Sequence, residues 1–176
     1  TMHVVSAALV RMFSQKPCTN RFVVHNKIYA HKQISLSIAV KRAMTEDGEE
    51  TTIKPVFEPT DTLYDVVRRI DEQIEAVNVD QTQSNTDAAA KILGKLPAWL
   101  LRIVVRFLFW LDNHGWLPRA LIELSPWHTS AWLTNVGSIG IAPVYHHLYE
   151  FGTSSVFIAI GKKSLVPGID FEGNVL

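Results

Sequence analysis

Two short apolar runs with a glycine turn between them constrain this chain more than anything else in it. They lie in Ala131–Lys163, AWLTNVGSIGIAPVYHHLYEFGTSSVFIAIGKK. Ala131 to Val136 reads as a short strand, and Gly137-Ser138-Ile139-Gly140 as a turn that ends it. Val156 to Ile160 is wholly apolar and reads as a buried strand, stopped by Gly161 and two lysines.

The residues before this stretch supply partners for those strands. Val4 to Phe13 has the apolar spacing of a helix, broken at Lys16-Pro17-Cys18. Arg21–Val24 and Lys27–His31 read as a hairpin turning at His25-Asn26. Ile34 to Val40 alternates large apolar with small residues, a strand with its large face inward. Thr51 to Phe57 reads as a second strand. Pro55 cannot donate to a ladder, so that strand belongs at an edge or is irregular. Thr62 caps the clearest helix, with Asp65 suited to the positive end of its dipole. Leu63, Val66, Val67, Ile70, Ile74 and Val77 share one face of it, and Asn78 to Thr86 reads as a loop.

Composition excludes several classes. At 176 residues, 47% hydrophobic and 19% charged, the chain is one globular domain with a sizeable core. Seventeen Lys plus Arg against seventeen Asp plus Glu leaves no net charge, which argues against a general grip on nucleic acid. Cys18 is alone, so there is no internal disulfide, and a cytoplasmic, reducing setting is expected. No base lies near Cys18 in sequence, and burial is its expected fate. The seven histidines show no metal-ligand spacing, and GxxG without a following Lys-Ser/Thr is no phosphate loop.

Leu133-Thr134-Asn135-Val136-Gly137-Ser138-Ile139-Gly140 and the later Val156-Phe157-Ile158-Ala159-Ile160-Gly161 resemble ISNLGMFG and AILGVG. Those are motifs of the catalytic domains of dihydrolipoamide acyltransferases, the cores of 2-oxo acid dehydrogenase complexes, which share the chloramphenicol acetyltransferase fold. Pro17 and Asn20 match a PELN segment of that family, and Ile34–Val40 stands where it has GVAV. The resemblance implies an α/β fold, a mixed sheet with packed helices. It implies a homotrimer with active sites between subunits, and acyl transfer between coenzyme A and the thiol of a lipoyl arm, so a lipoyl domain is an implied partner. Neither metal nor nucleic acid is implied.

Such transfer needs a base for the thiol and a donor for the tetrahedral oxyanion. By the resemblance, Thr134 takes the oxyanion hydroxyl. The family's histidine motif, DHRxxxDG, does not occur in the chain; in family order it follows the second strand. Met2 to Met12 starts within an apolar periodic run without a cap, and Phe171 to Leu176 is a turn followed by the start of a strand, so both ends read as cut. With the base missing, residues 1–176 alone are expected to transfer nothing. His146-His147-Leu148-Tyr149-Glu150-Phe151-Gly152 has the spacing of HHxxxDG, but Phe151 replaces the aspartate and the motif precedes the strand. His147 is thus a substitute base, weighed against a structural histidine pair. The alternative function is a non-catalytic homologue, a trimeric scaffold or membrane-associated binding module.

The departure from the family is an aromatic-rich insertion at 88–124. Pro97 opens a helix over Ala98–Leu111 that carries Arg102 and Arg106 one turn apart. It is too short and too charged for a membrane span, which needs about 20 apolar residues. It is expected to bury its aromatic face on its own domain or a neighbouring subunit. The competing expectation is a helix lying on a membrane surface, its arginines reaching phosphates.

Overall fold

A computed structural model describes residues 1–41, 50–79, 94–165 and 167–174. The first helix, α1, runs over Met2–Gln15, longer than the periodic core of the pattern. Pro17 disfavours helical backbone at Lys16, which ends it. A 3-10 turn follows at Pro17–Thr19, and it holds Cys18 in solvent, contrary to the expected burial. Strands β1 (Arg21–Val24) and β2 (Lys27–Ala30) form an antiparallel hairpin. His25 and Asn26 turn it with φ of 47° and 61°, both left-handed as a tight two-residue turn requires.

The main sheet is built on β3 (Ile34–Lys41). On one side it pairs antiparallel with β4 (Glu50–Ile53) and β5 (Val56–Phe57). The register Ile38↔Ile53 continues unbroken to Ser35↔Val56 and Ile34↔Phe57, so β4 and β5 lie on one line interrupted at Lys54-Pro55. Pro55 O accepts the Leu36 N–H at 3.2 Å, and proline has no N–H to return. Lys54 turns its own N–H away from β3, to Gln73 Oε1 at 3.0 Å. An edge position tolerates this loss, as Pro55 demanded.

On its other side β3 pairs in parallel with β6 (Ala131–Asn135), and β6 in parallel with β7 (Phe157–Ile160). The order is β4-β3-β6-β7. Because β7 is the far edge, its residues are half-buried and not fully buried as expected. A 3-10 turn, Val136–Ile139, leaves β6, and Gly140 closes it at φ 78°.

Helix α2, Leu63–Val79, starts on a reciprocal cap. The Thr62 N–H and hydroxyl donate to Asp65 Oδ2 at 3.0 and 2.6 Å, and Asp65 N–H returns to Thr62 Oγ1 at 3.4 Å. These bonds, the hydroxyl's first, hold the Asp65 carboxyl below its usual pKa. Leu63 is exposed, while Val66 and Ile70 are buried and Val67, Ile74 and Val77 half-buried. The loop expected at 78–86 begins later, since α2 reaches Val79, and its remainder falls outside the described residues.

Alternation decides the layers. Ile34, Leu36, Ile38, Ile53, Phe57, Ala131 and Leu133 point to one face, where Leu9, Val10 and Phe13 of α1 and Val66 and Ile70 of α2 complete the core. The opposite face carries Ser35, Ser37, Trp132, Thr134 and Phe157. Its small residues are buried too, under the segment 126–130. The Ser37 hydroxyl donates to Pro126 O at 2.6 Å, Thr129 Oγ1 to Ser35 O at 2.9 Å, and Ser35 N–H to Ser130 Oγ at 3.2 Å.

Helices α3 (Ala98–Asn113) and α4 (Arg119–Leu124) come from the insertion, whose residues 88–93 are outside the described set. Among the described residues no helix is long and apolar enough to cross a membrane. Half-buried Leu100, Leu101, Val104, Leu108 and Leu111 set α3 on the domain. Its aromatic face is not covered by the described residues: Trp99, Phe107 and Trp110 remain exposed. Packing on its own domain, one form of the expectation, is therefore corrected; one side of the helix is already spent on the contact.

Candidate functional site

Two concavities compete for the chemistry. The larger, about 690 Å³, lies between the β1–β2 hairpin and the C-terminal ends of α3 and α4. His31, Lys54, Asp112 and His128 line it. Each of these groups is already engaged. Lys54 Nζ donates to the carbonyls of Ile122 (2.8 Å) and Ser125 (3.0 Å), tying α4 to the sheet edge. Burial lowers its pKa to about 8, against the raising effect of Glu123. His31 Nε2–H donates to Thr153 O at 3.2 Å. Burial lowers the His31 pKa, and its bond to Thr153 opposes that.

His128, nearly buried, sits between a hydroxyl and a carboxylate. Ser125 Oγ lies 2.8 Å from Nδ1, and Asp112 Oδ1 lies 2.9 Å from Nε2. The carboxylate can only accept from Nε2–H, so in the neutral ring Nδ1 accepts from the Ser125 hydroxyl. The order imitates a nucleophile–base–acid array. Ser125 Oγ also accepts Trp127 N–H at 3.3 Å, which makes it part of a local turn. This is a clamp joining α3 to the approach of β6.

Asp112 has a second task that sequence reasoning missed. Its Oδ2 accepts the Gly152 N–H at 3.2 Å. The motif His146–Gly152 lacks its aspartate, and the insertion supplies a carboxylate to the same loop from α3. Phe151, in the aspartate's place, packs its ring against Phe109 at 4.9 Å and His128 at 5.2 Å. No local signal could have paired positions 40 residues apart, as Asp112 and Gly152 are. Asp112→Ala should leave the His128 and Gly152 N–H groups without their acceptor and destabilise the protein by about 1–3 kcal/mol. Urea denaturation with amide exchange at Gly152 checks this: faster exchange there is expected, and unchanged exchange would separate the loop from α3.

The second concavity, about 380 Å³, lies on the sheet face opposite α1 and α2. Its floor is Ala39, Trp132, Thr134 and Phe157, and its walls are Trp127, Val136, Val144, Phe151 and the loop His146–Tyr149. The structure thus brings together Thr134, His146 and His147, which sequence order had separated. Thr134 reaches the cleft because strand alternation places its side chain away from Leu133 and the core. It is half-buried, and its hydroxyl has no hydrogen-bond partner among the described residues.

The histidine pair is asymmetric. The His146 ring stacks on Phe157 at 4.6 Å and on His147 at 5.1 Å, and its Nδ1–H donates to His147 O at 2.5 Å. His146 is thereby held. Both ring nitrogens of His147 are without partners among the described residues, and its ring is exposed. A hydroxyl and an imidazole whose polar atoms have no hydrogen-bond partner among the described residues, above an apolar floor, can stabilise an oxyanion and move a proton.

No protein-family model matches the sequence, and no curated protein matches it. Among solved structures, it is similar to a probable dihydrolipoamide acetyltransferase from Listeria monocytogenes, with a TM-score of 0.55 and 14% identity over 98% of this chain and 55% of that one. It is similar too to the dihydrolipoamide acetyltransferase of Azotobacter vinelandii, with a TM-score of 0.54 and 13% identity over 99% and 54% of the two chains. The chain spans about half the length of these structures. At such identities the likeness shows the fold alone: a mixed α/β fold of the chloramphenicol acetyltransferase-like kind.

Proposed function

We propose that the cleft under β6 and β7 transfers an acyl group between coenzyme A and a thiol of the dihydrolipoamide type. The observation that carries this reading is the half-buried Thr134 hydroxyl, without a hydrogen-bond partner among the described residues, lining the same cleft as His147. The acyltransferase-like fold supports the reaction class. The shared cleft raises His147 above what motif order suggested, which put the base after β7, and this reading replaces the expectation that residues 1–176 alone transfer nothing.

His147 accepts the thiol proton on a free ring nitrogen. The thiolate attacks the thioester carbonyl carbon, and the Thr134 hydroxyl donates to the oxyanion that forms. Collapse breaks the original C–S bond, and the departing thiolate takes the proton back from the imidazolium. Net, one thioester and one thiol are exchanged for another pair, with no outside reductant or water. The apolar lining, Trp127, Trp132, Val144 and Phe157, disfavours water beside the thioester. A homotrimer, with coenzyme A and a lipoyl domain approaching the cleft from opposite ends, is the assembly this reading takes.

The test is acyl transfer from acetyl-coenzyme A to dihydrolipoamide, followed by the new thioester. His147→Ala should lower kcat about 100-fold, the low end of what general base catalysis contributes. Because His147 is exposed, folding should be unaffected. Wild-type turnover in the variant would remove His147 from the mechanism. Absence of transfer by the unaltered protein would favour the non-catalytic scaffold.

A further inference from the structure

The outward side of α3 violates the rule for a helix on a soluble domain. Such a helix buries an apolar stripe and shows water a polar one. Here the inner stripe is apolar, and the outer side exposes Trp99 at 66%, Ile103 and Phe107 at 56%, and Trp110 at 44%. Trp116, just past the helix, is 64% exposed and meets Trp110 edge-on at 5.5 Å, which extends the patch. The helix is about 24 Å long. Aromatic anchors thus stand at both its ends.

Charge selects among the surfaces that could cover this patch. At 100° per residue, Arg102 and Arg106 border the stripe formed by Trp99, Ile103, Phe107 and Trp110. Both are exposed and have no acidic partner among the described residues. The one acid of the helix, Asp112, points inward to His128 and Gly152. An isologous contact between two copies of this face would set its arginines against each other, and a heterologous contact, as in a trimer, would have to bring carboxylates from another face to them. An anionic lipid surface answers both demands: headgroup phosphates for the arginines and the acyl boundary for the rings. Tryptophan favours that boundary because its ring is apolar and its N–H polar.

We propose that α3 docks the protein in the plane of an anionic membrane surface, through Trp99, Ile103, Phe107 and Trp110, with Arg102 and Arg106 on lipid phosphates. This does not depend on the acyltransfer reading. The domain stays outside the bilayer, since the inner side of α3 remains bound to it.

The protein is floated with vesicles of phosphatidylcholine containing phosphatidylserine, and with phosphatidylcholine alone, at low and high salt. Flotation with the anionic vesicles that weakens in salt is expected. The double variant Arg102→Glu, Arg106→Glu should lower the partition coefficient about tenfold or more. Trp99→Gln, at the most exposed aromatic of the patch, should lower it too with the circular dichroism unchanged, which guards against a misfolded double variant. No flotation of the unaltered protein, or flotation indifferent to both variants, overturns the proposal. So does a concentration-dependent oligomer that Trp99→Gln dissociates while vesicles remain unbound; a second copy would then be the occupant.

Discussion

Gly137→Ala should destabilise the protein by about 3 kcal/mol, the upper end of overpacking costs. The reason is backbone against backbone. A Cβ at Gly137 would fall on the carbonyl of Gly161 and on Lys162 N, atoms that cannot rotate aside. The same region is knit from both sides: Lys162 N–H donates to Ile141 O at 2.8 Å, and Ile141 N–H to Val136 O at 3.2 Å. Gly161 is equally confined, since its own Cβ would strike the ring of Pro143. Moving β7 to make room would move Phe157, which floors the cleft and carries the His146 stack. Gly140 is the control. It needs φ of 78° but has open space, so Gly140→Ala should cost only about 1–2 kcal/mol, the strain of a left-handed alanine. Equal losses at the two glycines, measured by denaturant unfolding, would contradict the close approach of the turn to β7.

Thr134→Val should lower kcat about 100-fold, the scale of losing one oxyanion donor. Valine keeps the β-branched shape that suits a strand and removes only the hydroxyl. That hydroxyl holds nothing else in place among the described residues, so its removal leaves no neighbour unsatisfied. Stability should change by less than about 1 kcal/mol, as for a substitution that orphans no buried polar group. The two glycines and the threonine therefore separate the requirements of one turn: a loss of stability is expected at Gly137, and a loss of turnover with stability kept at Thr134, three residues before it.

Much of the frame was legible because local rules and the fold agree. His25-Asn26 tolerate left-handed backbone, and the hairpin turns on them. Pro55 could not sit in a central strand, and it lies at the edge. Thr62 and Asp65 form the cap their spacing announced. Thr134 could be placed by alternation once β6 was recognised. Cys18 shows the limit of a propensity: cysteine favours burial, but the turn behind Pro17 carries it outward.

What was not legible depends on contacts between distant segments. Periodicity shows that α3 is apolar on every side but the one that carries Arg102 and Arg106; only the packed chain shows which apolar side is left over. No spacing in the sequence points to the Asp112 carboxylate, yet it accepts the Gly152 N–H and holds that loop to α3. His147 lies on the Thr134 cleft because the loop 141–155 folds back over β6, a path with no regular secondary structure and hence no periodic signal. The face of β3 occupied by Ser35 and Ser37 read as the lesser one. It is buried because hydroxyls there meet the carbonyls and hydroxyls of 126–130, a complementarity invisible until the two segments touch.

The central claim is that the Thr134 hydroxyl acts on the transition state of acyl transfer. The most direct measurement is kcat and KM for acetyl-coenzyme A in Thr134→Val and Thr134→Ser, side by side with the unaltered protein and dihydrolipoamide as acceptor. The expected result is a kcat lowered about 100-fold in the valine variant, KM nearly unchanged, and activity restored toward the original by serine, which can donate the same bond. Valine and serine variants that both turn over at the original rate would contradict it.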